Sequence, residues 1–291
     1  MKWVSAVWFF AFVLSVVSFG DNYQVTTEIP TLINGSVVER KDYPAIIWIG
    51  NCTATLVGPR TVATAAHCTG SSVSFNVGSD KYSATCRKST HYRGNPTADY
   101  SFCHVDRAVT GILFDPINID PTYVASGDWL LQTGFGCTKW GGRLDMQLRV
   151  GRSKVISTPS GTNNDITTGG DGSAVLCSGD SGGPAYGLEE NGVRGLLVSV
   201  NSRSNTTSRS YLSALATSQG IQFIESFAKE FNAKICGMHD NTPGCRNMLI
   251  TPFEFKVTND IATWKWLVKP GDIDGQKLKA AFLQAGYREV N

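Results

Sequence analysis

Three short segments of this chain carry residue types that, brought together, can attack a carbonyl carbon. They are Thr64-Ala65-Ala66-His67-Cys68, Ala98-Asp99-Tyr100-Ser101-Phe102 and Cys177-Ser178-Gly179-Asp180-Ser181-Gly182-Gly183-Pro184. A serine hydroxyl is a poor nucleophile at neutral pH, so Ser181 needs a positioned base, and His67 is the residue type whose proton equilibrium suits that task. A buried carboxylate at Asp99, bonded to the second ring nitrogen, would fix the useful tautomer and stabilise the imidazolium that forms during attack. Gly179 permits a sharp backbone turn, so that its N–H and that of Ser181 can point at a developing oxyanion. Taken singly, each residue has a plainer reading. A lone histidine in a β domain is more often a surface or core residue, the reading given to His91, His104 and His239; a lone Asp before an aromatic is more often a turn residue, and a Gly-Asp-Ser-Gly-Gly string alone can be a loop.

Together and in this order, the three segments resemble the trypsin/chymotrypsin family of serine endopeptidases from about Leu32 to Ile235, and nearly every residue of the last segment matches the family pattern around the nucleophile. The resemblance implies an all-β fold of two antiparallel six-stranded β-barrels with a C-terminal helix and a short extension. The active site would lie in the cleft between them, with His67 and Asp99 from the first half and Ser181 from the second. It implies hydrolysis of peptide bonds through an acyl-enzyme, without cofactor or metal. The partners implied are protein or peptide substrates and a protein protease inhibitor. The rival from another class is a catalytically silent, protease-like binding protein; such relatives usually lack the His or the Ser, and both are present here.

Trypsins place an Asp six residues before the nucleophile, where this chain has Val175, so preference for Arg or Lys does not carry over. The resemblance puts Leu176 and the strand Val198-Ser199-Val200-Asn201 on the pocket walls, with Ser199 and Asn201 among the lining residues and Tyr211 at the back. On that alignment Arg209 falls where certain granzymes carry an Arg that selects acidic side chains, by charge-assisted bonds to a carboxylate. The competing reading has Arg209 pointing to solvent.

Family members mature by cleavage before a short apolar N-terminus, whose new amino group pairs with the Asp preceding the nucleophile. Leu32-Ile33-Asn34-Gly35 resembles that N-terminus and Asp180 its partner, which makes 21–31 a propeptide and predicts a disordered oxyanion hole in the uncut chain. Thr31 precedes the cut where many relatives carry Arg or Lys, so the cutting enzyme is left open. The chain has eight cysteines. Eight allow about a hundred connectivities. Cys52 with Cys68 resembles the family bridge beside the catalytic His, and Cys137, in a segment similar to the family's Gly-aromatic-Gly turn, is paired with Cys177. Cys86 and Cys103 flank the Asp99 segment and could cross-link neighbouring strands, leaving Cys236 with Cys245.

The elements that must hold these groups are legible in outline. Short runs rich in Val, Ile, Thr and aromatics, such as Ala45 to Ile49, Thr53 to Val57, Ser72 to Val77 and Leu196 to Val200, alternate with Gly, Pro, Asn, Asp and Ser clusters, which suggests an all-β barrel or sandwich. Ile221, Ile224, Ala228, Phe231 and Ile235 follow helical spacing and predict an amphipathic helix from Ser218 to Lys234. A second helix is predicted from Asp274 to Gly286 in the extension, 237–291, whose role stays unknown. Asp272-Ile273-Asp274-Gly275 is part of a calcium-loop pattern, but Leu283 stands where its terminal Glu is needed, so Asp274 reads as a helix cap.

Met1-Lys2, the apolar run Trp3 to Val17 and Ser18-Phe19-Gly20 predict a secretory signal peptide, 1–20, cleaved after Gly20. The run is shorter than the ~20 residues a bilayer needs, which disfavours a retained anchor and predicts no stable membrane insertion after cleavage. Export to the extracellular space, or to the periplasm of a bacterium, favours disulfides for the cysteines, and no two lie at zinc-ligand spacing. Sequons stand at Asn34, Asn51 and Asn205. The formal net charge of +2 offers no electrostatic case for nucleic acid. The protease-like domain is thus expected over 32–236.

Overall fold

In the strand Asp80–Lys88, Tyr82, Ala84 and Cys86 are buried while Lys81, Ser83, Thr85 and Arg87 face out, the period of two that a sheet with one apolar face requires. The computed structural model describes residues 32–189, 194–239 and 242–246, together with three backbone strands beyond them. The expected signal peptide, propeptide and second helix lie outside the described residues.

The first half contains β1 (Ser36–Val37), β2 (Ile46–Trp48), β3 (Thr53–Gly58), β4 (Thr61–Thr64), β5 (Ser72–Val77), β6 (Asp80–Lys88) and β7 (Ser101–Val105). The second contains β8 (Trp129–Gly134), β9 (Arg149–Ser157), β10 (Asp165–Gly169), β11 (Pro184–Leu188), β12 (Arg194–Ser204) and β13 (Arg209–Ala214), followed by α1 (Ser218–Phe231). Strands β2 to β7 form a six-stranded antiparallel sheet in the order β2-β3-β4-β7-β6-β5. Strands β8 to β13 close on themselves through the β8–β9 pairing, and β1 adds to the edge of β9. The fold is therefore two six-stranded antiparallel barrels with a C-terminal helix, as expected.

The helix stops earlier than its apolar spacing predicts. Thr217 caps its start by accepting from the Gly220 N–H at 3.0 Å, but Asn232 takes the left-handed conformation at φ 46° and ends it. Ile235 is still buried, three residues beyond that end. Phe223 and Phe227 lay the helix on Phe102 of β7, with ring centroids 6.0 and 5.7 Å apart. The helix closing the second half thus clamps the strand that begins two residues after Asp99.

Four disulfides join Cys52 to Cys68, Cys86 to Cys103, Cys137 to Cys177 and Cys236 to Cys245. Cys86 and Cys103 are directly opposite partners on β6 and β7. The extension does not leave the fold at residue 237: Phe114 N–H donates to Gly244 O at 2.8 Å, and Arg246 N–H to Phe114 O at 2.7 Å. Farther along, β14 (Phe253–Thr258) pairs antiparallel with β15 (Ile261–Trp266), which pairs parallel with β16 (Arg288–Glu289). Strand pairing there has no counterpart in the sequence reading, which found only a helix. Among the described residues no helix is long and apolar enough to cross a membrane.

Candidate active site

His67 sits in a single 3-10 turn after β4, between the fully buried Ala66 and the partly buried Cys68. Its Nδ1 lies 2.6 Å from Asp99 Oδ2, and its own backbone N–H donates to Asp99 Oδ1 at 2.9 Å. The Ser202 hydroxyl donates to Asp99 Oδ2 at 2.7 Å. Both carboxylate oxygens are thereby met, with the Asp99 side chain 3% exposed and the His67 ring 34% exposed. A buried carboxylate tolerates its charge only when so satisfied, and the arrangement leaves Nε2 as the ring's remaining nitrogen. Cys52, His67 and Cys68 also bring ligand atoms within 4.8 Å of one another, but the sulfurs are joined in the disulfide and Nδ1 faces Asp99, so the trio is not a metal cage.

The loop carrying Ser181 is brought to this turn by backbone. Thr53 N–H donates to Ser181 O at 2.9 Å. A Cβ added to Gly182 would meet Thr64 Oγ1 at 2.0 Å and Ala65 N at 2.9 Å, so only glycine allows the two loops this close. Within the loop, the N–H groups of Cys177, Asp180, Gly182 and Gly183 donate to Asp180 Oδ2, Cys177 O, Asn201 O and Asp180 O. Those of Gly179 and Ser181 have no acceptor among the described residues. Gly179 has φ +100°, and its carbonyl is held by the Thr53 hydroxyl at 2.7 Å. Two free, fixed N–H groups beside a hydroxyl are what a developing oxyanion needs.

Asp180 is wholly buried under the Gly134-Phe135-Gly136 turn. Its Oδ1 accepts from Gly136 N–H at 2.8 Å and its Oδ2 from Cys177 N–H at 2.9 Å. Burial outweighs these bonds and pushes its pKa up to about 7. Leu32 is also fully buried, packed toward Gly151 and Ala174, and Ile33 bridges to Val175. Among the described residues no hydrogen bond joins Leu32 to Asp180 in the intact chain.

The pocket region departs from the sequence reading in two ways. Ser199 and Asn201 are fully buried and line no opening: Asn201 Nδ2 donates to Thr133 O at 2.9 Å and to Asp180 O at 3.2 Å, bracing the nucleophile loop from behind. The residue of β12 that reaches Asp99 is Ser202, and the one that faces Leu176 is Ser204, whose hydroxyl donates to Leu176 O at 2.7 Å. Arg209 is exposed, opposite Gly169, while the next residue, Ser210, is buried and accepts from Leu176 N–H at 3.0 Å. A shift of one residue along a strand exchanges its two faces, and β13 presents Ser210 and Leu212 inward instead of Arg209 and Tyr211. Tyr211 is half-buried beneath the Arg203 guanidinium, 5.0 Å from the ring centroid. Val175 and Leu176 are buried at 2% and 3% exposure.

A trypsin family model matches residues 32–219. The chain belongs to the trypsin family. Its curated relatives include chymotrypsin-like elastase family member 1 from Bos taurus, 24% identical over 213 residues, covering 60% of this chain and 80% of the relative. Chymotrypsin-C from Mus musculus is 25% identical over 194 residues, covering 55% and 71%. Among solved structures, human heparin binding protein is similar in fold, with TM-score 0.55 and 20% identity over 67% of this chain and 95% of the other.

Within this trypsin-family site, several residues went unnoticed in the sequence. Thr53 joins the barrels by three bonds, from its N–H to Ser181 O, from its hydroxyl to Gly179 O, and to its hydroxyl from Phe135 N–H at 3.1 Å. Ser213 Oγ accepts from Asp99 N–H at 3.2 Å, a second contact from the second barrel to the first. Gly136 and Gly134 are required by closeness, since a Cβ on either would lie 2.4 or 2.2 Å from the Asp180 carboxyl group. The two glycines belong to the segment that resembles the family's Gly-aromatic-Gly turn, but their closeness to Asp180 was not legible there. A threonine at a strand start and serines in strands give no such signal.

Proposed function

We propose that this chain is a secreted serine endopeptidase. Ser181 attacks the peptide carbonyl, His67 takes the hydroxyl proton and returns it to the leaving amine, and Asp99 holds the imidazole. The N–H groups of Gly179 and Ser181 receive the oxyanion, and water then releases the acyl group from Ser181. The observation that carries this reading is the His67 Nδ1 to Asp99 Oδ2 contact of 2.6 Å, on a buried carboxylate, beside a loop with two unused N–H groups.

Maturation by cleavage before Leu32 belongs to the same reading: a new ammonium group meeting Asp180 would supply the positive charge that a buried carboxylate favours. For specificity, the uncharged floor at Val175 and the Ser204 and Ser210 hydroxyls bonded to the Leu176 peptide favour small uncharged side chains over Arg or Lys.

The deciding experiment is covalent labelling of the processed protein by a fluorophosphonate. One equivalent per chain, lost in Ser181→Ala, is the expected result. A processed, folded protein that stays unlabelled overturns the proposal and favours a binding protein on this scaffold, the kind of role for which human heparin binding protein is named.

A further inference from the structure

Folding treats the sequons at Asn34, Asn51 and Asn205 differently. At Asn34 the side chain is already engaged, its Nδ2 donating to Ser173 O at 2.9 Å beside the buried Leu32 and Gly35. Asn51 is exposed, but the rest of its sequon is not: Cys52 is joined to Cys68, and Thr53 is fully buried with its hydroxyl donating to Gly179 O at 2.7 Å. Glycosyl transfer to asparagine needs the hydroxyl two positions on as well as the amide, so both sequons are closed once the barrels form.

Asn205-Thr206-Thr207 stays whole. It lies at the tip of the hairpin between β12 and β13, where Asn205, Thr207 and Ser208 are exposed. Asn205 Oδ1 accepts from the N–H groups of Thr207, Ser208 and Arg209 at 3.1, 2.9 and 2.8 Å, and Thr206 takes the left-handed conformation at φ 63°. Three donors on one oxygen fix the amide plane. Nδ2 meets only the exposed Ser208 hydroxyl, at 3.2 Å, which leaves its second N–H without a partner among the described residues. The Thr207 hydroxyl, 3.5 Å from Asn205 O, is held at most weakly.

The hairpin also stands beside the cleft. Three residues before Asn205, Ser202 donates to Asp99, and one residue before it Ser204 donates to Leu176 O. At ~3.3 Å per residue of strand, Asn205 is rooted about 10 Å from Ser202. A branched oligosaccharide of several sugars is bulky on that scale.

We propose that Asn205 carries an N-linked oligosaccharide, and that this glycan stands over the Leu176 side of the cleft, admitting flexible peptides and slowing folded proteins. Attachment rests on the proposed export, and the effect on substrates on the proposed peptidase. In the transfer, Nδ2 bonds to the anomeric carbon of a lipid-linked oligosaccharide diphosphate. The C–O bond to the diphosphate breaks, the lipid diphosphate leaves with the electron pair, and one amide proton is lost to a base. The product amide keeps one N–H for Ser208, and Oδ1 keeps its three donors, so the turn survives the modification.

The test is secretion of the full chain from a glycosylating eukaryotic cell line, with enzymatic removal of glycans in heavy-oxygen water and peptide mass spectrometry. Labelled Asp is expected at position 205 in most chains, and less often at 34 and 51. Asn205→Gln removes the site but also the Oδ1 bonds; Thr207→Ala leaves those bonds, should abolish occupancy, and decides if the first variant fails to fold. Thr207→Ser should keep the glycan. A chain bare at Asn205 overturns the proposal, as does occupancy at Asn34 or Asn51 equal to that at Asn205. In the processed enzyme, Thr207→Ala should cleave a folded protein substrate several-fold faster than the glycosylated chain and a short peptide amide at the same rate; equal rates on both substrates overturn the shielding role. Occupancy at Asn205 on a chain that no fluorophosphonate labels leaves the glycan standing and overturns the peptidase reading instead.

Discussion

The Thr53 hydroxyl, on the first strand of the first barrel's hairpin, donates to the Gly179 carbonyl of the second barrel's nucleophile loop at 2.7 Å. That bond sets the orientation of the peptide plane beside the N–H groups proposed to receive the oxyanion. Thr53→Val keeps the shape and removes the donor. We expect kcat to fall about tenfold to a hundredfold with KM nearly unchanged, because the lost alignment acts in the transition state. A variant with wild-type kcat and altered KM would show that Thr53 has no part in aligning the loop.

The buried Asp180 makes the stability of the intact chain depend on pH in a defined sense. Its carboxyl titrates near 7 in the fold against 3.8 for the unperturbed group. Between those values the folded chain retains a proton that the unfolded chain has released, so stability from this group is full below about pH 4 and is lost as pH rises toward 7. The change amounts to a few kcal/mol, at about 1.4 kcal/mol per pKa unit. Asp145, held down at about 2 by Arg149, works in the opposite sense at lower pH. Urea unfolding of the intact chain and of Asp180→Asn, compared from pH 4 to 7, isolates the Asp180 contribution, which should be absent in the variant. Cleavage before Leu32 should remove the loss as well; a pH slope that survives it counts against the proposed ion pair.

Ser202 supplies Asp99 with a donor that neither His67 nor the first barrel can replace. Ser202→Ala leaves one buried carboxylate lone pair unmet, a loss of about 1–3 kcal/mol for a charged acceptor. Peptide hydrolysis should slow about tenfold or more, and Ser202→Thr should restore most of it. Equal rates in the alanine variant and the wild type would remove Ser202 from the machinery.

Ser204 and Arg209 separate two accounts of specificity. Ser204→Gly removes the hydroxyl bonded to Leu176 O and should broaden the profile toward larger apolar side chains, seen in kcat/KM over peptides differing only at the residue before the cut. Arg209→Ala should leave the profile unchanged, because Arg209 is exposed on the outer face of β13. A strong loss of cleavage after Asp or Glu in Arg209→Ala would restore the acidic preference.

His67, Asp99 and Ser181 stand out in the sequence because each is embedded in a local string whose neighbours have their own reasons to be there, such as Gly179, Gly182 and the flanking cysteines. The barrels were legible for a similar reason, since strands of this kind announce themselves by short β-branched runs and intervening turn residues. What supports the three was hidden. Whether a hydroxyl at Thr53, Ser202 or Ser213 matters depends on which group the other barrel sets opposite it, and that is a product of folding over long separations. The pocket shows the same limit at finer grain. Arg209 and Ser210 are neighbours with opposite orientations, and nothing local to the loop 205–208 determines which of them turns inward. The helix ended early because a left-handed Asn232 outweighed a continuing apolar rhythm.

Leu32 is wholly enclosed in the intact protein, its chain pinned by the Ile33–Val175 bridge and by Asn34 Nδ2 on Ser173 O at 2.9 Å. A peptidase must draw several residues of extended chain into its own cleft, and the bond before an enclosed leucine is poorly presented for that. A peptidase making the proposed cut before Leu32 would have to act before the second barrel closes, or wait for that edge to peel away and compete with its return. The timing of that proposed maturation would then be set by how often the edge opens rather than by the letters around the scissile bond, which would give the Thr31 that stands where a basic residue is usual a different significance.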